Sequence, residues 1–441
     1  MCLSVFNQYM RRILSFFLTA MILACLLPSP YVRALDDPVV EKVQSAYLYN
    51  IENNQILYEL NIHHKIYPAS TVKIMTALVA EEKLSHRLDE TVTITAQMLN
   101  GVTGNHIGLK NGEQISVRNL FYGLLMRGAN DAAHALAFIS GGSIAGFVEM
   151  MNEKASALGA ANTVYKNPSG LHHDEMHTTA ADTAKIALAA YQSAFIMEVS
   201  STVKHVIPAT NISEQRTLFN RNYLIAKNEE IKYYMPSARG INVGSTQEAG
   251  HCLVSTAQKD GLTYLCVVMG GAGDDNNIYS YTTGKALLSW AFNGFGYLDV
   301  IDPSKRICEI PVELSTEADY VTLVPKETLT VFLPLDIDPN SDLEYTWTVT
   351  YSKLDAPVYE GQEAGYVTIS YGDRMIGSVP LVTKNSVERS DFLYVMNKID
   401  EFSHSRFFRA TLISGVCFTI LYVFIKSIYR QKKNKKLGRY R

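Results

Sequence analysis

Polar and apolar residues alternate through 44–50 and again through 55–60. Glu52-Asn53-Asn54 between them favours a turn, so the pattern predicts a β-hairpin. Beyond Pro68 the period changes. Ile74-Met75-Thr76-Ala77-Leu78-Val79-Ala80 is apolar and rich in helix formers, which predicts a helix opening near Ser70. Helical spacing of apolar positions continues in 117–126, 131–139, 145–158 and 179–192, so 74–200 reads as mostly helical. Period-two patterns return at 241–243, 251–257 and 263–269. Gln258-Lys259-Asp260-Gly261 reads as a second hairpin turn, and an amphipathic helix is predicted over 283–292. Hairpin, helical block, hairpin and closing helix together describe an α+β domain over 36–297, an antiparallel sheet covered by helices.

After Pro303 the pattern shifts to short alternating strands broken by Pro, Gly and Asp, which predicts a separate small all-β domain over 303–386. Phe392, Val395, Met396, Ile399 and Phe402 then recur at helical spacing and predict an amphipathic linker helix over 390–408. Residues 409–428 are apolar enough to cross a bilayer if Lys426 extends its ammonium to the surface. The tail 429–441 is basic and holds no acidic residue, which places it in the cytoplasm and everything before the span outside. At the other end Arg11 and Arg12 precede an apolar run that stops at Pro28 and Pro30. With the small residues near Ala34, 1–34 reads as a secretory signal, the alternative being an uncleaved signal anchor. The expected location is therefore a cell membrane, crossed once, with the folded domains outside.

Charge narrows the partners. The 441-residue chain is close to neutral at −3, but residues 35–425 hold 29 Lys and Arg against all 43 Asp and Glu, a net of −14. An acidic exterior is unsuited to polyanions, so nucleic acid is not an expected partner. Of six cysteines only Cys252, Cys266 and Cys308 fall outside the signal and the span, and an odd count argues against a disulfide framework. Cys252 and Cys266 fall on neighbouring predicted strands, either as a pair or as buried free thiols.

The predicted helix start puts Ser70 and Lys73 one turn apart on one face. A serine hydroxyl becomes a nucleophile when a neighbour removes its proton. A lysine does this only where burial or nearby positive charge destabilises its ammonium.

Several ordered segments now carry a resemblance: Pro68-Ala69-Ser70-Thr71-Val72-Lys73, Asn119-Leu120-Phe121-Tyr122-Gly123, Ala129-Asn130-Asp131-Ala132-Ala133, Asn167-Pro168-Ser169-Gly170-Leu171 and Val267-Val268-Met269-Gly270-Gly271. The chain resembles the low-molecular-mass penicillin-binding proteins, serine D-alanyl-D-alanine carboxypeptidases related to class A β-lactamases. Leu354-Asp355-Ala356-Pro357-Val358 resembles that family's C-terminal module. The resemblance implies removal of a terminal D-Ala from peptidoglycan stem peptides through an acyl-serine intermediate, reactivity with β-lactams, and no cofactor or metal. It makes Ser70 the nucleophile, Lys73 the general base and Asn130 the group that orients Lys73 and bonds the substrate amide. The oxyanion hole falls on the Ser70 and Ser245 backbone N–H groups, and substrate lines Asn242, Val243 and Gly244.

Two of the family's three motifs are degenerate on this alignment. The serine of S-x-N falls on Gly128, and the lysine and threonine of K-T-G fall on Asn242 and Val243. Each lost group is expected to weaken the transition state by about 2–4 kcal/mol, non-additively. Two readings follow: a weakened carboxypeptidase with a site rebuilt from groups such as Arg127, or an inactive pseudoenzyme that binds peptidoglycan or acts as a scaffold. Strand alternation turns Arg239 away from Asn242, so it is a poor substitute. His172, His173, Asp174, Glu175 and His177 match no metal-ligand spacing and read as solvated loop residues. Gly270-Gly271-Ala272-Gly273 lacks the phosphate-loop Lys and reads as a loop.

Overall fold

A computed structural model describes residues 37–227 and 231–437. The predicted signal, 1–34, and the end of the basic tail lie outside the described residues. The chain divides into two compact units, one of residues 1–296 with 334–336, the other of 297–333 with 337–441.

In the first unit the elements are β1 (Ser45–Asn50), β2 (Gln55–Leu60), α1 (Val72–Leu84), α2 (Val117–Arg127), α3 (Asn130–Gly141), α4 (Ile144–Ala157), α5 (Ala180–Tyr191) and α6 (Ala194–Ser201). They are followed by β3 (Ala238–Thr246), β4 (Gly250–Lys259), β5 (Leu262–Gly271) and α7 (Tyr279–Gly294). The strands form an antiparallel sheet in the order β2-β1-β5-β4-β3. Non-consecutive β1 and β5 pair at its centre, Leu48 opposite Cys266, and this brings the N-terminal hairpin to the C-terminal strands. Both strands bury nearly every residue, as expected of strands covered on both faces.

Helix α1 is also buried all round, including Ile74, Met75, Ala77, Val79 and Ala80. It therefore forms the axis of the helical block rather than a cover with one wet face. Its neighbours start where side-chain oxygens satisfy free N–H groups: Ser116 accepts from Asn119 before α2, Thr179 from Asp182 before α5, and Ser193 from Ile196 before α6. Gly128, at φ +64°, ends α2 in the left-handed conformation that glycine adopts without penalty.

Two stretches depart from the helical reading of 74–200 and its edges. Residues between α1 and α2 are a long connection with a short strand pair, Thr91–Thr93 with Gln114–Ser116, whose apolar Ile94, Leu109 and Ile115 are buried as single anchors. A second hairpin, Lys204–Ile207 with Arg216–Phe219, follows α6. The two are tied by Arg216 and the fully buried Glu113, 2.6 Å apart. Gly270 and Gly271 belong to β5 rather than to a loop.

In the second unit a six-stranded sheet contains Cys308–Glu313, Tyr320–Pro325, Leu343–Val349, Leu354–Asp355, Glu363–Tyr371 and Arg374–Thr383. Its core is Ile310, Leu323, Val367, Ile369, Val379 and Leu381. Beyond it Asp391–His404 is a helix whose Phe392, Val395, Met396, Ile399 and Phe402 are all exposed. The last helix, Arg406–Leu437, includes the 25-residue stretch Arg406–Arg430, within which an 18-residue window has a mean hydropathy of 1.9. It is long and apolar enough to cross a membrane.

Candidate active site

Ser70 lies in a tight 3₁₀ turn, Ala69–Thr71, that leads directly into α1. Ala69 has φ +48°, a conformation a non-glycine residue adopts only when its surroundings hold it there. Part of that hold is Gly170, at φ +79°: a Cβ there would sit 2.0 Å from the Ala69 carbonyl oxygen, so only glycine lets the two segments meet. On the other side a Cβ at Gly244 would lie 2.5 Å from the Ser70 nitrogen. Strand β3 therefore passes with its backbone against the Ser70 N–H, the approach an oxyanion hole of backbone donors requires.

Lys73 projects from the first turn of α1 with its Nζ 3.1 Å from Ser70 Oγ and 2.8 Å from Asn130 Oδ1, and it also meets the Ser169 carbonyl. Asn130, at the start of α3, is fixed in turn: its Nδ2 donates to the Thr103 carbonyl at 2.6 Å and its N–H to that of Asn105 at 2.7 Å. The adjacent Asp131 carboxylate accepts from the backbone N–H of Leu109 at 2.9 Å and of Ile107 at 3.2 Å, so one buried carboxylate holds the loop that holds Asn130. Ser169 is held by Asn167, whose Oδ1 accepts from its N–H and hydroxyl.

The Lys73 amine is fully buried. Burial above all, and then the positive charge of Arg221, lower its pKa to about 7, against a smaller opposing pull from Asp131. A lysine so placed is a free base in a large fraction of molecules at neutral pH, within reach of the hydroxyl it would deprotonate.

A cavity of about 210 Å³ opens over Ser70, lined by Asn105, Arg221, Val243, Gly244, Ser245 and His251 among others. Thus Ser70, Val243, Gly244 and Ser245 come together around the cavity, and Lys73 and Asn130 stand directly behind Ser70. Asn242 does not line the cavity: it is 2% exposed, and its side-chain oxygen has no hydrogen-bond partner. Arg127 also lies elsewhere, in a neighbouring cavity with Phe219 and Asn220, so the cation at Ser70 is Arg221. A side chain on Gly128 would point at Arg221 Nη1, 3.7 Å away, and Asn105 Nδ2, 3.9 Å away. Arg239 is turned out of the site and donates to the Pro236 and Ala238 carbonyls.

Sequence reasoning missed Arg221 and His251. Arg221 follows a hairpin that had no pattern in the sequence, where its N–H bonds the Met126 carbonyl and its own carbonyl accepts from Tyr281 Oη at 3.0 Å. His251 sits opposite Ser245 in the β3–β4 register, a pairing the predicted strands 241–243 and 251–257 leave open.

The histidine-rich loop holds its side chains on separate partners: His172 on Asp174 at 3.0 Å and edge-on to Tyr67, His173 on the Glu175 N–H at 3.2 Å, His177 on the Glu175 carbonyl at 3.1 Å. Among the described residues no group of three or more His, Cys, Asp or Glu is placed to hold a metal. Cys252 and Cys266 are buried free thiols, pushed up by burial to about 11 and about 12.

Residues 35–273 match the family described as D-alanyl-D-alanine carboxypeptidase, and residues 305–389 match the C-terminal domain of penicillin-binding protein 5. Similar proteins include the D-alanyl-D-alanine carboxypeptidase DacF of Bacillus subtilis, 26% identical over 395 residues that span 88% of this chain and 98% of that protein. DacA of Escherichia coli is 28% identical over 358 residues, 79% of this chain and 84% of that one. The solved structure of penicillin binding protein 5 from Haemophilus influenzae has a TM-score of 0.56 at 26% identity, covering 81% of this chain and 100% of that one.

Proposed function

Because the chain belongs to the D-alanyl-D-alanine carboxypeptidase family, we propose that it removes the terminal D-Ala from peptidoglycan stem peptides through an acyl-Ser70 intermediate. The observation that carries this reading is the buried Lys73 amine, 3.1 Å from Ser70 Oγ with its pKa lowered to about 7. In the acylation step Lys73 takes the Ser70 proton and Oγ attacks the carbonyl carbon of the penultimate D-Ala. The backbone N–H groups of Ser70 and Ser245 stabilise the oxyanion, and the C–N bond to the last D-Ala breaks. Asn130 holds Lys73 and bonds the substrate amide. Val243 and Gly244 line the substrate's path. Asn242, from the same strand, supplies shape and no charge, so the Arg221 guanidinium takes over the positive field at the site. Water then hydrolyses the acyl-enzyme with Lys73 again as base.

Turnover is slower than the family's full motif set would give, because Gly128 brings no hydroxyl and Val243 no hydrogen bond to the substrate. The domain limits 36–297 and 303–386, the secretory role of 1–34 and a single C-terminal span with a cytoplasmic basic tail complete the proposal. They put the catalytic domain at the outer face of a bacterial membrane, next to its polymer.

The test is D-Ala release from a D-Ala-D-Ala pentapeptide by the full chain in detergent, with Ser70→Ala as control. Slow release that the control abolishes supports the reading. A second reading, a pseudoenzyme that binds peptidoglycan, is favoured by the buried, unpartnered Asn242 oxygen where the family motif has a lysine. It predicts no release by either protein, with sacculus binding equal in both.

A further inference from the structure

Acylation needs one proton delivered as well as one removed. The departing D-Ala nitrogen must be protonated as its C–N bond breaks, because an amide anion is too basic to leave. The family's second-motif hydroxyl is absent at Gly128. Lys73 carries the Ser70 proton after the attack, but it is fully buried behind the nucleophile and does not line the cavity over Ser70, so a donor on the cavity wall is the one placed to meet the leaving nitrogen.

The cavity's lining can be sorted by what each group is able to give. Asn105 and Val243 exchange no proton, and the Tyr223 phenol is a far weaker acid than an imidazolium. The Arg221 guanidinium does not deprotonate at any relevant pH. The Cys252 thiol is buried and pushed up to about 11. Tyr281 Oη already donates to the Arg221 carbonyl at 3.0 Å, and burial raises its pKa. Ser280 Oγ is buried out of reach of solvent from which a proton could be replenished. Ser245 exposes an ordinary hydroxyl, a weak acid with no base behind it.

His251 is different. It opens β4 directly across from Ser245, is half-buried in the cavity wall, and neither ring nitrogen has a hydrogen-bond partner among the described residues. A Cβ on Gly273 would lie 2.9 Å from its Nε2, so the ring fits against that segment only because the residue there is glycine. An imidazole with no structural bond to keep is free for proton exchange. Burial also lowers its pKa, which makes its protonated form a stronger acid.

Resting on the carboxypeptidase reading above, we propose that His251 is the catalytic acid that protonates the leaving D-Ala nitrogen. Lys73 removes the Ser70 proton, the Oγ–C bond forms, the C–N bond breaks, and the His251 imidazolium gives its proton to the amine. The neutral imidazole regains a proton from water, and Lys73 returns its own to water.

The test is a leaving-group comparison in the full chain, using a D-Ala-D-Ala peptide, where the nitrogen must be protonated, and the matched thioester, where the thiolate leaves unaided. In His251→Gln and His251→Ala, peptide acylation should fall about 10²-fold while thioester acylation stays within about twofold of wild type. Peptide acylation unchanged in both variants overturns the proposal. Equal losses on both substrates also overturn it, since they mark a packing role. A wild-type chain inert to both substrates removes the carboxypeptidase reading, and this proposal with it. A chain that turns over the thioester but shows no His251 effect on the peptide removes only the second.

Discussion

The two walls of the Ser70 cavity differ in how completely their polar atoms are committed. On the α1 side, Ser70, Lys73, Asn130 and Ser169 form a closed circuit, and each outer partner is itself held, by Thr103, Asn105 or Asn167. On the β3 side the chain offers fewer committed side chains: Val243 and Gly244 face the cavity beside Ser245, and the Asn242 oxygen is buried without a partner. A pre-organised circuit loses function through any single member, because removing one leaves a buried group unsatisfied. A wall of backbone and methyl groups has less to lose. The Lys73 hydrogen-bond network is thus the rigid half of this site and strand β3 the permissive one.

The largest expected effects therefore lie on the α1 side. Ser70→Ala should abolish covalent labelling by a fluorescent penicillin, read by intact mass, and Lys73→Met should slow acylation by about 10²–10⁴-fold. Asn130→Ala, which frees both the amine and the Thr103 carbonyl, should slow it by about 10²-fold. Gly170→Ala tests the fit behind the nucleophile. With a Cβ directed at the Ala69 carbonyl and φ at +79°, it should lower stability by about 2–3 kcal/mol in chemical denaturation and slow acylation with it.

Changes on the β3 side should be smaller and of either sign. Val243→Thr puts a hydroxyl into the cavity and should raise peptide turnover by about two- to tenfold. Asn242→Lys should not rescue by itself. The position is 2% exposed and does not line the cavity, so the new ammonium is buried away from the substrate, and stability should fall with no gain in rate. Equal rescue by the two changes would break the contrast between the walls.

Stability should carry the mark of Lys73 as well. Its amine ionises about 7 in the folded chain and at 10.5 in a model lysine, so below pH 7 both states hold the proton and the penalty is constant. Between those values the unfolded chain binds more protons, and stability from this group rises with pH. Denaturation midpoints in Lys73→Met should lack that rise.

The rigid wall was also the legible one. Ser70 and Lys73 declare themselves because a helical period fixes their spacing, and Asn130 opens a helix that the same period predicts. Arg221 and His251 reach the site through tertiary packing: one from an irregular segment after a short hairpin, the other from a cross-strand register. Neither position has a local signature. The connection between α1 and α2 misled for a related reason. Ile94, Leu109 and Ile115 are buried one at a time by the fold, and single anchors carry no period. Arg127 looked suited to the site by its closeness to Gly128 in sequence, yet it lines an adjoining cavity that shares Asn105 and Arg221 with the one over Ser70.

The most direct measurement is the rate of Ser70 acylation by the matched thioester, whose leaving group needs no proton, as a function of pH in the full chain, with Ser70→Ala as the blank. A buried neutral lysine acting as base predicts a covalent adduct on Ser70 whose rate climbs as pH rises through about 7 and then levels. An adduct formed at a rate indifferent to pH between 5 and 9, or no adduct at all, would contradict it.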